Sequence, residues 1–183
     1  PMKKMTAMSG FPEWTPEQRL LEMDLLSIIS RQFTLFGFLP IETRAVEPLS
    51  VLLKKGDDKE IYVLKRLHDD GESKDAEEGV GLHFDLTVPF ARYVLEHEHL
   101  LTFPFKRYQI QKVWRGERKQ EGRYREFYQC DADIIGSDSL VNEAELIALF
   151  QSIFSSLSLK ANLLINSRNN LLQFYNYKCP TKL

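Results

Sequence analysis

Apolar residues Leu21, Leu25, Ile28, Ile29, Phe33 and Phe36 recur three and four positions apart, the spacing of one helix face. Before them, Thr15 can cap a helix, Pro16 suits its first position, and Gln18 completes a capping box. Gly37 supplies a stop, because glycine enters the left-handed conformation that ends many helices. The pattern predicts an amphipathic helix over residues 16–36, an extended segment over 39–46 and a short helix near 48–54. Residues 59–66 (KEIYVLKR) read as a strand, and the acidic, aperiodic stretch 68–79 reads as a loop. Residues 80–88 alternate: Leu82, Phe84, Leu86 and Val88 fall on one side, His83, Asp85 and Thr87 on the other. That alternation predicts a strand whose polar face sets a carboxylate beside a hydroxyl, a pair suited to an ammonium group. Residues 90–100 read as helix, and 105–114 and 124–135 as the stems of a hairpin. Residues 142–157 form a second amphipathic helix with Leu146, Leu149, Phe150, Ile153 and Phe154 on its stripe, and 160–165 one more strand.

Adjacent strands flanked by helices, with one clear hairpin, predict an α+β fold built on a mainly antiparallel sheet. No βαβ alternation opens on a glycine-rich phosphate loop, which argues against Rossmann and P-loop domains. The chain's 183 residues suffice for one domain with a real core. A net charge of −2 gives no global basic field, so any phosphate or RNA contact must come from a local patch. Cys130 and Cys179 lie far apart and form no CxxC pair, which fits a reducing, cytoplasmic setting and offers no zinc site. No apolar run approaches the ~20 residues of a membrane span, and the first ten residues lack a signal peptide's apolar core.

The local patch is the hairpin. Arg115, Glu117, Arg118, Arg123 and Arg125 crowd its turn and stems, and guanidinium groups bind phosphate bidentately. In the second stem, Arg125, Phe127, Gln129, Asp131 and Asp133 share a face. The opposite face carries Tyr124, Tyr128, Cys130, Ala132 and Ile134, core-like apart from Glu126. A polar face with one Phe is either a solvent face or a ligand-binding face. On the second view Phe127 stacks a flat base, Arg115 and Arg123 hold phosphates, and Gln129 with Asp133 holds a polar small molecule. His97 and His99, two apart on a helix, do not share a face and read as surface. His83 shares the Asp85 side and reads as a satisfied structural histidine.

The run WRGERKQEGRYREFYQCD resembles motif 2 of class II aminoacyl-tRNA synthetases, in the form found in histidyl-tRNA synthetases. GLHFDLTVPFARY resembles the D/E-x-T strand of that family, and PEWTPEQ with GFLPIET its entry and motif 1. The resemblance covers nearly the whole chain, with the motif 1 region at about residues 16–50 and the motif 2 region at about 104–136. It implies that Arg115 binds the ATP α-phosphate and the histidine carboxylate and is the catalytic residue. It implies that Glu117 reads the adenine amino group, Arg123 holds the γ-phosphate and Phe127 stacks on adenine. Asp85, Thr87, Arg115, Gln129 and Asp133 then surround bound histidine, and Arg118 and Lys119 meet the tRNA acceptor end. The implied cofactors are ATP and Mg2+, with no protein ligand to the metal assigned. The implied partners are histidine and tRNA(His), with a homodimer in the full-length protein.

Three features depart from the family pattern. The family's motif 3 Arg and anticodon-binding domain have no counterpart before Leu183, so the 183-residue chain alone is expected to be inactive. Arg44 stands where motif 1 usually has Pro, and His83 where an Arg is frequent. Two other readings fit such a chain: a non-catalytic paralogue, such as the histidine-sensing regulatory subunit of ATP phosphoribosyltransferase, or a truncated module that binds tRNA or a partner.

Overall fold

The computed structural model describes residues 7–55, 60–67, 79–118 and 120–166. The predicted loop at 68–79 lies, except for Gly79, outside them, as does Lys119. Helix α1 (Pro16–Leu35) starts as its sequence predicts, with the Thr15 and Gln18 capping box closed. It ends on Gly37 at φ +77°. Gly37 N–H donates to Thr34 O and Phe38 N–H to Phe33 O, and the Phe33 and Phe38 rings meet across the turn at 6.5 Å.

Strands β1 (Leu39–Pro40) and β2 (Val46–Pro48) follow, then α2 (Leu49–Leu52) with a 3-10 turn over Leu53–Lys55. Next come β3 (Tyr62–Leu64), β4 (Val80–Leu82), α3 (Thr87–His97), β5 (Phe105–Trp114), β6 (Glu126–Ile135) and α4 (Leu140–Ser156). Two three-stranded sheets form, in the orders β1-β5-β6 and β2-β4-β3. Every pairing is antiparallel except β1 with β5. The fold is thus α+β and rich in antiparallel pairs, as expected.

The long hairpin β5–β6 is the spine. Its register sets Trp114 opposite Glu126 and Phe105 opposite Ile135. One face, carrying Tyr108, Ile110, Cys130, Ala132 and Ile134, packs on Phe33 of α1 and on Leu149 and Ile153 of α4. Burying such apolar area, at roughly 25 cal/mol per Å², is what holds both helices to the sheet. Tyr108 stacks on Phe33 at 5.0 Å and shares a hydrogen bond of 2.9 Å with Ser30.

Four expectations need correction. Residues 80–88 are not one strand, since the ladder ends at Leu82 and α3 begins at Thr87. Pro89 explains the switch, because it cannot donate within a ladder but fits the first turn of a helix. The apolar stripe of α1 is buried only toward its C-terminal end, and Leu21 and Leu25 are exposed because the sheet lies under the other half. On α4, Phe150 is exposed. Residues 160–165 pair with no strand among the described residues.

Candidate active site

The other face of the hairpin is polar and open at the turn. Arg115 sits where β5 ends. Its Nε donates to Phe84 O at 3.0 Å and its Nη2 to Gln129 Oε1 at 3.1 Å. Its guanidinium lies 5.1 Å from the centre of the Phe127 ring. A planar cation held by a backbone carbonyl, an amide and an aromatic face is preorganised, with donors left for a ligand. Gln129 passes the chain on, donating from Nε2 to Asp131 Oδ2 at 2.9 Å.

Arg115, Glu117, Arg123 and Phe127 line one cleft of about 380 Å³ together with Gly122 and Tyr124. Glu117 and Arg123 form a loose pair at 3.5 Å across its mouth. Arg118 is exposed on the turn. Arg125, expected among the phosphate-binding guanidinium groups, has a structural task instead. Its Nε donates to Glu117 O at 3.1 Å, and its side chain packs on Gly10, where a Cβ would come within 2.8 Å of it. Gly10 also lies at φ +87°, so a side chain there is both crowded and strained.

Segment 83–86 runs beside the end of β5 and is tied to it. Trp114 N–H donates to His83 O at 3.1 Å, and Phe84 O receives Arg115. This brings Asp85 to the site, but not as the strand pair predicted. Asp85 is buried and accepts from Val88 N–H at 3.4 Å, as a helix-capping carboxylate does, whereas Thr87 is exposed in the first turn of α3. The two do not share a strand face. His83 is structural, as expected: it is fully buried, Nε2 donates to Lys112 O at 2.7 Å, and the ring stacks on Trp114 at 5.6 Å. Burial holds its pKa below the usual value, against the pull of the Lys112 carbonyl.

Asp133 lies six residues beyond Phe127 on the same face, roughly 20 Å along the strand. It forms an ion pair with Arg107, directly opposite on β5. Burial pushes the Asp133 carboxyl up, Arg107 pulls it down and Asp131 pushes it further up, leaving it above its usual value. The sequence reading missed Arg107, Gln109 and Gln111. They face Asp133, Asp131 and Gln129 across the hairpin, and Thr43 receives Gln109 Nε2 at 2.9 Å. Extending the alternation from one stem to the other would have found them. Glu126, the polar residue on the core face, is likewise satisfied. Burial pushes its carboxyl up, but hydrogen bonds from Lys112 at 2.6 Å and Trp114 at 2.8 Å outweigh this and hold it below its usual value.

An arginine-lined cleft on a long antiparallel hairpin, flanked by an acid-bearing segment, is the core of a class II aminoacyl-tRNA synthetase fold. The solved histidyl-tRNA synthetase from Nostoc sp. PCC 7120 superposes with a TM-score of 0.71 at 42% identity, over 84% of this chain and 34% of that one. An ATP phosphoribosyltransferase regulatory subunit/histidyl-tRNA synthetase from Bacillus halodurans matches with a TM-score of 0.72, but at 20% identity it shows the fold alone. The family model for histidyl-tRNA synthetase matches residues 10–173, and the chain belongs to that family. The histidine–tRNA ligase of Thermobifida fusca is 54% identical over 175 residues, 93% of this chain and 40% of that protein. That of Porphyromonas gingivalis is 42% identical over 187 residues. The chain therefore spans about two fifths of the length of these relatives.

Proposed function

We propose that this chain is the N-terminal part of the catalytic domain of a histidine–tRNA ligase, with its motif 1 region at about 16–50 and motif 2 region at about 104–136. The reading rests above all on one observation: Arg115, Glu117, Arg123 and Phe127 line a single cleft. Phe127 stacks the adenine of ATP, and Glu117 accepts from its amino group. Arg123 holds the γ-phosphate. Arg115 bridges the α-phosphate and the histidine carboxylate, and is the catalytic residue. Asp85, Thr87, Gln129 and Asp133 surround the histidine.

A carboxylate oxygen of histidine attacks the α-phosphorus in line, and pyrophosphate leaves. The guanidinium of Arg115 stabilises the charge that builds on the α-phosphate oxygens, and its fixed hydrogen bonds spare it reorganisation at that moment. Magnesium, when bound, neutralises charge on the phosphates. Among the described residues no group of three or more His, Cys, Asp or Glu is placed to hold a metal ion. The adenylate then passes to tRNA(His), whose acceptor end meets Arg118 and Lys119. The working protein is a cytoplasmic homodimer, a reading supported by the uncovered Leu20, Leu21, Leu25 and Leu35 on α1 and by the cysteine spacing. No described helix is long and apolar enough to cross a membrane.

The test is histidine-dependent ATP–pyrophosphate exchange by the intact polypeptide that carries these residues. Arg115→Ala should lower kcat by at least about a hundredfold, the scale of losing one preorganised transition-state donor. No exchange with histidine in the unsubstituted protein would defeat the reading.

A further inference from the structure

Arg107 is a guanidinium with no exposed surface, an unusual position for a permanent charge. Three neighbours define it. The Phe90 ring of α3 covers it, with 4.1 Å from guanidinium to ring centre. Gln109 Oε1 accepts from its Nη1 at 3.4 Å. Asp133 faces it as an ion pair. Its Nε finds no hydrogen-bond acceptor among the described residues, and its Nη2 meets Asp133 as an ionic contact rather than a directed hydrogen bond. Packing alone would have used an apolar residue here, since burying a charge is costly and an apolar replacement of an ion pair is often neutral.

The location explains the cost. Asp131 and Asp133 stand two apart on the site face of β6, opposite Gln109 and Arg107. Two carboxylates so close repel, and a cation beside them offsets that repulsion. With Arg107 the three side chains sum to one negative charge; without it, to two. One net charge matches one cationic ligand.

We infer that Arg107 is a positioning residue for histidine: from beneath α3 it fixes the Asp133 carboxylate toward the amino-acid end of the site. The inference rests on the ligase reading and adds a residue to it. Arg107 stands opposite Asp133 and does not line the cleft of Arg115, Glu117, Arg123 and Phe127, so its effect falls on the amino acid rather than on ATP.

The experiment measures KM for histidine and for ATP separately by pyrophosphate exchange in the intact polypeptide, for the unsubstituted protein, Arg107→Met and Arg107→Lys. Arg107→Met should raise the histidine KM by at least about tenfold, the scale of removing the buried partner of a charge pair, and leave the ATP KM unchanged. Arg107→Lys, which keeps the charge but not the planar fork, should recover part of the loss. Were Arg107→Met to misfold, Arg107→Lys alone still decides, since its histidine KM must rise without a change for ATP. Exchange in the unsubstituted protein, with a histidine KM untouched by both substitutions, overturns the inference. So does a parallel rise of both KM values. Absence of exchange in the unsubstituted protein instead overturns the ligase reading.

Discussion

Replacing Arg92 by Met should destabilise the fold by several kcal/mol. Glu47 on β2 has no exposed surface, and its carboxylate is held mainly by Arg92 of α3. Arg92 Nε lies 2.9 and 3.0 Å from the two carboxylate oxygens and Nη2 2.8 Å from one of them. Arg44 adds contacts of 3.3 and 3.2 Å but is half exposed. Breaking a buried pair by removing one partner costs about 3–5 kcal/mol, because the remaining charge stays desolvated. Arg44 remains and offsets up to about 1 kcal/mol, the worth of an exposed pair. The expected loss is therefore about 2–5 kcal/mol. Urea unfolding followed by the fluorescence of Trp14 and Trp114 measures it, as a lower midpoint at unchanged slope. A loss below about 1 kcal/mol at unchanged slope would refute the reasoning. The double variant Arg92→Met/Glu47→Leu should be more stable than Arg92→Met alone, since it removes the stranded charge. Additive losses would show that the pair itself is not the cause.

His83 makes stability depend on pH. Its pKa is lowered in the fold, so its contribution is complete above the usual 6.5 and is lost as pH falls through the folded value. Unfolding free energy should drop as pH falls below about 6.5, and His83→Asn should flatten that slope; an equal slope in the variant refutes the assignment. The charged groups acting on His83 are Glu47 from β2 and Asp85 from its own segment. Burial pushes the Cys130 thiol up to about 11. It should resist an aromatic disulfide reagent at about pH 8 until the fold is opened, and peptide mapping separates it from Cys179.

Much of the site was legible from local chemistry. The alternation of 124–135 placed Phe127, Gln129, Asp131 and Asp133 together and Cys130, Ala132 and Ile134 on the core, and the register of β5 with β6 agrees. Arg115, Glu117 and Arg123 follow from the turn between those stems. Asp85 and Thr87 were misplaced because alternation over nine residues is shared by a strand and by a short strand running into a helix. Pro89 was the only local sign of the second.

The sequence by itself determined the parts whose causes lie within a few residues. These are the capped start and glycine stop of α1, the two faces of the hairpin, and the crowding of guanidinium groups at its turn. Tertiary structure alone decided which charges are used for what. Arg125 and Arg115 are ten residues apart and chemically identical, yet one braces the turn against Gly10 and the other faces the cleft. Arg107 looks like a surface residue until Phe90, fixed by α3, closes over it. A side chain's role depends on which distant segment covers it, and local periodicity holds no information about that.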